Sequence, residues 1–410
     1  MKMNDTERLA WLQLALTPYI GAETFLKLLQ AYGSAEAALA APVECIAKAA
    51  RHKQAAAVWG DRDKRDLAKA SAYAALEWAQ QEDCRLLLLQ DDDFPELLTE
   101  GITPPPLLFV RGNVGLLQRP AVAVVGSRHA TPQALRIARD FGEALSAQGI
   151  VVVSGMAAGI DTAAHQGALL HDAGGTVAVW GTGINRIYPS SNKKLAYEIA
   201  ERGLIISEFP LDTRPLAGNF PRRNRLIAAL SYATLVVEAA VESGSLITAK
   251  LAADMGREVM AVPGSIDNPH SKGCHKLIKE GAKLVECLED IVQECPQLLQ
   301  NTPIPSYSIK KHPQKIRQSN TEPVGLEVPT DSPITARLPV EHTIRPSEKM
   351  LAGDVDTDEI LAVMGYDPIH PDTLAQQTGR PTADVYAKLL EYELDGLVAT
   401  LAGGRYQRIR

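Results

Sequence analysis

Short apolar runs separated by helical stretches fill the middle of the chain. Eight such runs of mainly Val, Ile and Leu occur: Leu86–Leu89, Leu107–Val110, Val122–Val125, Val151–Val153, Val177–Trp180, Leu204–Ile206, Leu235–Val237 and Val259–Val262. Amphipathic stretches such as Leu135–Leu145 and Ile247–Met255 lie between the later runs. Continuous apolar runs alternating with helices are typical of parallel strands that are buried on both faces. The pattern predicts an α/β domain over residues 83–295, an extended Rossmann-like, doubly wound parallel sheet.

The first 82 residues have a different pattern, rich in Ala and Leu at helical spacing and poor in strand formers. Gly21 separates two of the helical stretches, and Gly33 ends the second. Two helices joined by a glycine-bearing turn resemble a helix-hairpin-helix or SAM-like module, which can offer backbone N–H groups to DNA phosphates. The other interpretation is a small helical domain whose glycine only permits a tight turn.

After the sheet domain the composition changes, because residues 296–350 are rich in Pro, Ser and Thr and show no periodicity. Such a stretch buries too little apolar surface to offset the entropy of ordering it. The sequence therefore predicts a disordered linker over 296–350.

Residues 351–410 again look folded. Three helices are predicted around Ile360–Met364, Pro371–Gln377 and Val385–Leu394, and the apolar positions assigned to the third are Val385, Leu389, Leu390 and Leu394. Leu397–Leu401 and Tyr406–Ile409, separated by Gly403 and Gly404, are typical of a β-hairpin. Three helices and a hairpin predict a winged helix. Its third helix is acidic, which is unfavourable for reading the DNA major groove and favours a protein partner.

Composition places the chain among globular proteins of a reducing compartment. Of its 410 residues, 46% are hydrophobic and 22% charged, and its five cysteines are scattered, with neither a disulfide framework nor a CxxC metal site. The start of the chain lacks the pattern of a signal peptide, and no apolar run is long enough to span a membrane. These features predict a cytoplasmic protein without a membrane span. The net charge of −7 means that any DNA-binding residues must form a local basic patch.

The loops that follow the predicted strands are rich in small residues. Gly126-Ser127-Arg128 follows one strand, Gly181-Thr182-Gly183 another, and Ser243-Gly244-Ser245 a third. In an open α/β sheet, ligands bind at the carboxyl ends of the strands, where small residues and helix N-termini admit anions. The loops lack the spacing of a GxGxxG dinucleotide motif or of a P-loop, so no nucleotide cofactor is predicted.

A basic loop is predicted between residues 214 and 225. It contains Arg214, Arg222, Arg223, Arg225, Asn219, Asn224 and Phe220. Arginine binds phosphate through two parallel hydrogen bonds, while Asn and Phe can bind or stack on a base. The alternative is a solvated loop with one arginine paired to Glu208 or Glu238. The glycine-rich loops nearby favour nucleic acid.

No catalytic machinery is predicted. Asp161 stands where an N-cap residue of the next helix belongs, and His165 has no Cys or carboxylate partner in the sequence pattern. No Ser–His–Asp arrangement, carboxylate pair or metal-ligand spacing stands out. We therefore expect a protein that is not an enzyme and that holds no metal or cofactor.

The ordered motifs of the sheet domain resemble the DprA/Smf family of DNA-processing proteins. The matching motifs are Val125–Arg128, Ser154–Asp161 with Ala164-His165, Gly181–Gly183 with Tyr188-Pro189, Ser207–Pro210, Phe220–Arg225 and Ser243–Ala249. One departure is His275, where the family tends to have Asn.

The resemblance implies a homodimer, formed through the Rossmann-like domain, that binds single-stranded DNA. It also implies protection of incoming DNA and loading of RecA onto it during natural transformation and recombination. The residues that it assigns to DNA contact or to the loops around the pocket, together with neighbours chosen for their chemistry, are Arg128, Arg222, Arg223, Asn224, Arg225, Lys250, Gly126, Ser127, Gly244, Ser245 and Phe220.

Two other functions stay open at this point. Nucleotide phosphoribohydrolases of the lysine-decarboxylase-like (LOG) type use similar sheets, but their Pro-Gly-Gly-x-Gly-Thr-x-x-Glu motif is absent, and Glu242–Ser245 stands in the comparable region. A scaffold acting through its winged helix is the third possibility, and it predicts a sheet domain with no DNA affinity.

Overall fold

The protein is described from a computed structural model, which covers residues 3–50, 52–299, 359–366, 368–401 and 404–408. Most of the predicted linker lies outside the described residues. Residues 296–299, however, form a 3-10 turn, and Leu298 is fully buried in the core of the sheet domain. The sheet domain therefore extends to at least Leu299, four residues into the stretch that the composition assigned to the linker.

Six helices form the N-terminal part: α1 Asp5–Leu16, α2 Ala22–Tyr32, α3 Ala35–Leu39, α4 Val43–Ala49, α5 Gln54–Gly60 and α6 Arg62–Trp78. Side chains of Asn4 and Asp61 accept hydrogen bonds from the first-turn N–H groups of α1 and α6. The rings of Trp11 and Phe25 meet edge to face in the core, with centroids 4.7 Å apart. The prediction of an N-terminal helical domain is confirmed.

The turn between α1 and α2 does not depend on glycine. Gly21 has a φ of −79°, and a Cβ added there meets no atom within 4 Å, so other residues could adopt its conformation. Tyr19 has the positive φ in this turn, at 67°. The turn therefore makes no use of the conformational freedom of Gly21.

The middle of the chain contains a nine-stranded sheet. Its strands are β1 Cys84–Leu88, β2 Leu107–Gly112, β3 Ala121–Val125, β4 Val151–Ser154, β5 Thr176–Trp180, β6 Leu204–Ser207, β7 Ala233–Val236, β8 Glu258–Ala261 and β9 Lys283–Leu284. Its helices are α7 Pro132–Ala147, α8 Ile160–Ala168, α9 Lys193–Arg202, α10 Asn219–Ala229, α11 Gly244–Asp254, α12 Lys272–Lys279 and α13 Leu288–Glu294. All eight apolar runs fall on strands, which confirms the predicted doubly wound α/β fold.

The strand order is β1-β2-β6-β5-β4-β3-β7-β8-β9. Strands β3 to β9 pair in parallel, but β2 runs antiparallel to both β1 and β6. The apolar run of β2 predicts a parallel strand like the others, because burial on both faces looks the same in either direction. The connection from β1 to β2 carries the 3-10 turn Glu96–Thr99 in place of a crossover helix, and the chain direction therefore reverses.

Strands β3 and β7 are neighbours in the middle of the parallel part, and the chain winds outward from them in opposite directions. This reversal of strand order is the topological switch point, outside which a crevice opens at the carboxyl ends of the strands. Large apolar clusters cover both faces of the sheet, one of them built on Val122 and Val124 and another on Ala123 and Val125. The two clusters hold β3 rigidly beneath the crevice.

The helical part packs against the antiparallel end of the sheet. The indole N–H of Trp11 donates to the carbonyl oxygen of Pro106 at 2.8 Å, and Trp78 meets Phe109 of β2 with ring centroids 5.5 Å apart. These contacts belong to a core cluster that continues from the helices into the sheet.

The C-terminal part has three helices, α14 Glu359–Met364, α15 Pro371–Thr378 and α16 Thr382–Leu394, and a hairpin of β10 Val398–Leu401 and β11 Arg405–Arg408. The predicted winged helix is confirmed. Its core includes Val385 and Leu389, but Leu390 and Leu394 are 55% and 82% exposed. All four apolar positions assigned to the third helix lie on α16, as predicted. Among all the described helices, none is long and apolar enough to cross a membrane.

Candidate nucleic-acid interface

A cavity of 760 Å³ opens at the switch point, and we call it the switch-point cavity. The residues that line it come from the loop after β3, from α10, from the start of α11 and from neighbouring loops. They are Val125, Gly126, Ser127, Arg128, His129, Ala157, Asp161, Tyr188, Pro215, Ala217, Phe220, Pro221, Arg223, Asn224, Ile227, Ala240, Glu242, Ser243, Gly244, Ser245, Ile247, Thr248 and His270. Eight of the eleven predicted site residues are therefore brought together here.

The loop after β3 presents Arg128 to this cavity. A Cβ at Gly126 would lie 2.6 Å from Cγ1 of Ile160, so the glycine lets the loop pack against the start of α8. The backbone N–H of Ser127 donates to the carbonyl oxygen of Glu238 at 2.8 Å, which ties the loop to the end of β7. With its loop fixed at both sides, Arg128 is exposed and its side chain forms no ion pair within the described part of the chain.

Phe220 provides an aromatic surface next to Arg128. The guanidinium carbon of Arg128 lies 5.4 Å from the centroid of the Phe220 ring. The centroids of the Tyr188 and Phe220 rings are 5.6 Å apart, and the ring planes are inclined at 41°. A Cβ at Gly181 would come within 2.9 Å of Phe220, so the glycine makes room for the ring. Tyr188 and Phe220 are thus two partly exposed rings beside a free guanidinium group, a combination on which bases can stack.

The first turn of α11 faces the cavity from the opposite side. Ser243 is its N-cap and accepts a hydrogen bond from the backbone N–H of Ser245, while the two hydroxyl oxygens are 2.7 Å apart. Gly244 is exposed, and a Cβ there would meet nothing within 4 Å. The N–H groups of Ser245 and Leu246 already donate to Ser243, so it is the positive end of the helix dipole that favours an anion at this place.

The side chain of Arg223 is buried and is not exposed at the mouth of the cavity. It is 3% exposed, and its Nη1 donates to the carbonyl oxygen of Val179 at 2.7 Å, with the guanidinium lying where a side chain at position 155 would be. Burial lowers the pKa of Arg223 to about 10, against the opposing effect of Asp161. Arg223 therefore forms the floor of the cavity.

Asp161 does not cap α8, contrary to the prediction. It lies inside the first turn, and its Oδ2 accepts hydrogen bonds from the backbone N–H groups of Gly155 and Ala157 at 3.0 and 3.2 Å. Burial raises the pKa of this carboxyl, although Arg223 and the hydrogen bonds oppose that shift. Asp161 thus fixes the loop after β4 from within.

Arg222 and Arg225 point away from the switch-point cavity. The predicted basic loop is mostly the helix α10, and these two side chains line a separate cavity of 360 Å³ on its other side. Nη2 of Arg225 lies 2.5 Å from Oε1 of Glu208, and Arg222 lies over the ring of Phe209. The ion pair with Glu208 is the alternative that the sequence left open for one arginine of the cluster.

Lys250 and His275 also lie apart from the switch-point cavity. Lys250 is exposed further along α11. Nε2 of His275 forms a hydrogen bond with the carbonyl oxygen of Gly264 at 2.9 Å. DNA contact through Lys250, Arg222 or Arg225 stays a prediction.

His165 has a structural position. It is fully buried, and its Nδ1 is 2.7 Å from Oγ1 of Thr176, which itself donates to the carbonyl oxygen of Val152. Since that hydroxyl proton is used, the Nδ1–H of His165 donates to Oγ1 of Thr176. Burial lowers the pKa of His165 to about 3. Within the described ranges, no group of three or more His, Cys, Asp and Glu side chains could hold a metal ion.

Comparison with known families decides what kind of protein this is. The family model described as DNA recombination-mediator protein A matches residues 85–296, which is more than half of the chain. The chain belongs to this family. The other family matches are a DprA-like N-terminal HHH domain over residues 5–59 and a DprA winged helix domain over residues 346–404.

Individual members of the DprA/Smf family agree with this assignment. Protein Smf of Escherichia coli is 37% identical over 341 residues, covering 83% of this chain and 81% of that protein. Protein Smf of Synechocystis is 34% identical, over 99% of this chain and 100% of that protein. The solved structure of DNA processing protein A from Streptococcus pneumoniae is 36% identical and covers 72% of this chain and 99% of that one, with a TM-score of 0.58.

Sequence reasoning missed several side chains that line the switch-point cavity of this DprA/Smf protein, among them His129, Tyr188 and His270. Tyr188 belongs to a motif that carried the family resemblance, and His129 directly follows Gly126-Ser127-Arg128, so both had a signal in the sequence. His270 had none, because it comes from the 3-10 turn Pro269–Ser271, which only the folded chain brings to the cavity.

Proposed function

We propose that this protein binds single-stranded DNA in the switch-point cavity. One observation carries the proposal: Arg128, the ring of Phe220, Asn224 and the first turn of α11 line the same cavity. Arginine and the helix N-terminus suit phosphate, and the ring suits a base. Bases that are still stacked in a duplex cannot enter beside Phe220, so the single strand is the expected ligand.

The charge distribution supports this function in an acidic chain. The net charge is −7 and the carboxylates Asp161 and Glu242 also line the cavity, yet it has an unpaired arginine at its mouth and a buried one in its floor. Because binding then rests on phosphate contacts, affinity should fall steeply with salt and depend little on base sequence.

The test is fluorescence anisotropy of labelled oligo-dT and of its duplex counterpart across a salt series. We expect Arg128→Ala to weaken binding of the single strand about tenfold or more, because a hydrogen-bonded charge contact contributes about 1.5–3 kcal/mol. A control for the loss of charge is Arg202→Ala at the amino ends of the strands, where α9 ends before β6, although this arginine, unlike Arg128, pairs with Asp172. Equal losses in the two variants, or binding that is insensitive to salt, would refute the site.

The rest of the proposal concerns the steps after DNA has bound. We infer from the family that the protein acts as a homodimer in the cytoplasm, protects incoming DNA and loads RecA onto it during transformation and recombination. Light scattering of the purified protein tests the dimer. RecA filament formation on coated single strands, with and without this protein, tests loading, and no increase in the filament formation rate would contradict it.

We further propose that the site binds without catalysing a reaction. The one histidine beside Asp161 in α8, His165, is buried and committed to Thr176, and Asp161 is committed to the backbone. These hydrogen bonds occupy Nδ1 of His165 and Oδ2 of Asp161, although Asp161 itself lines the switch-point cavity. Incubation with nucleoside monophosphates tests this: release of free base would instead indicate a phosphoribohydrolase.

A further inference from the structure

A second cavity adjoins the switch-point cavity. It measures 440 Å³ and lies over the start of α7 and α8. Both cavities are lined by Arg128 and His129, so these two side chains form the wall between them. A chain that leaves the switch-point cavity past Arg128 therefore enters the second cavity directly.

The second cavity carries positive charge. Arg136 and Arg139 line it, and both side chains are exposed. Throughout the described ranges, neither forms an ion pair or a side-chain hydrogen bond, whereas other surface arginines such as Arg85 and Arg202 are paired with carboxylates. No Asp or Glu is among the described residues that line it. Asp140, the next residue on α7, attracts both arginines electrostatically but forms no ion pair with either in the described part of the chain, so their N–H donors suit a polyanion.

Close packing holds these arginines in place. A Cβ at Gly142 of α7 would collide with the carbonyl oxygen of Ala164, and one at Gly167 of α8 with the carbonyl oxygen of Arg139. The two helices therefore touch through their backbones, which keeps the backbone of Arg139 fixed against α8. Arg136 and Arg139 are three residues apart, so they lie on the same side of α7.

We propose that Arg136 and Arg139 form a second phosphate subsite, across which single-stranded DNA continues from the switch-point cavity. The ligand class is a phosphodiester chain, held mainly by its backbone, because the described lining residues of this cavity include no Phe, Tyr or Trp ring. The inference rests on the proposed function of the switch-point cavity. It adds the direction in which the strand leaves, towards α7.

The test compares oligonucleotide lengths in the full chain. We expect an oligo-dT of about six nucleotides to fill one cavity and one of about sixteen to reach both, within the range of single-strand site sizes. The variant is Arg136→Gln/Arg139→Gln. We expect unchanged affinity for the short strand and about fivefold or greater loss for the long one. For the long strand, the slope of log affinity against log salt concentration should fall in magnitude by about 1.4 in the variant, or about 0.7 for each of two lost phosphate contacts.

Two controls sharpen the result. Arg62→Gln/Arg65→Gln on α6 makes the same charge change at the same helical spacing and should leave both affinities unchanged. Arg136→Lys/Arg139→Lys keeps the charges and should keep most of the salt slope. Circular dichroism checks that each variant is folded.

The outcomes separate this inference from the proposed function. If the wild type binds both strands, Arg128→Ala weakens both, and the Arg136/Arg139 variant weakens neither, the second subsite is refuted and the first stands. Equal weakening of the short and the long strand would also refute it, because it would indicate a general field effect. No binding by the wild type at low salt would overturn both.

Discussion

Arg223 and Arg128 show how differently two arginines of one cavity are used. Arg128 is exposed at the mouth beside Phe220, whereas Arg223 is buried and bonded to the carbonyl oxygen of Val179. Removing a buried, hydrogen-bonded charge leaves its partners unsatisfied and costs stability. The effects of Arg223 variants on DNA binding therefore include an effect on folding, and Arg128 is the cleaner probe.

The buried His165 is expected to make the stability of the protein depend on pH. Its folded-state pKa is about 3, lowered from 6.5 by burial, so between these values the unfolded chain binds a proton that the folded chain does not. The free energy of unfolding should therefore fall as pH falls, approaching about 1.4 kcal/mol per pH unit between pH 6 and 4. Urea denaturation at several pH values measures this slope.

The control for this prediction is the same substitution at a buried and an exposed histidine. His165→Asn should flatten the pH dependence, and His129→Asn, at an exposed position, should leave it as in the wild type. An equally steep curve in His165→Asn would show that carboxylates account for the acid sensitivity.

At the scale of elements, α10 divides its polar side chains between two cavities. Phe220, Arg223 and Asn224 line the switch-point cavity. Arg222 and Arg225 line the cavity on the other side of the helix. The helical repeat causes this division, because residues three or four apart share a face: Arg223 and Asn224 follow Phe220 at these spacings, and Arg225 follows Arg222. A dense cluster of arginines in sequence is therefore not one patch in space.

This division predicts a ranking of variants in α10. Asn224→Ala should weaken oligo-dT binding by about two- to tenfold, since a lost hydrogen bond costs about 0.5–1.5 kcal/mol. Arg222→Ala should weaken it less, although it removes a full charge. Anisotropy at fixed salt measures both. The reverse ranking would place DNA on the Arg222 side of the helix.

At the scale of the molecule, the winged helix has a core of its own. Its buried residues, among them Ile360, Leu374 and Leu389, form one cluster. Its helix α16 exposes Leu390 and Leu394 and carries acidic side chains, which is unfavourable for contact with phosphates. The part of the chain up to Leu299 contains the switch-point cavity complete.

We therefore expect a protein truncated after Leu299 to fold and to bind oligo-dT within about threefold of the full chain, a difference below about 0.7 kcal/mol. Thermal denaturation and anisotropy of the two proteins, side by side, measure this. A folded truncated protein without DNA affinity would support instead a scaffold that acts through its winged helix.

The sequence by itself determined the strands, the loops that follow them and the family. Continuous apolar runs predict buried strands. The loops that bind ligands directly follow such strands along the chain. Arg128, Phe220 and Gly244 were therefore found from the local sequence pattern. These features depend on neighbours in the sequence.

Only the tertiary structure decided which of these residues share a cavity. The switch point exists because β3 pairs with β7, a strand far along the chain, and that pairing is invisible in local periodicity. Contacts between distant segments also decided the direction of β2, the burial of Arg223 and the position of Arg225 beside Glu208. The physical reason is that burial and charge pairing depend on contacts between segments distant in sequence.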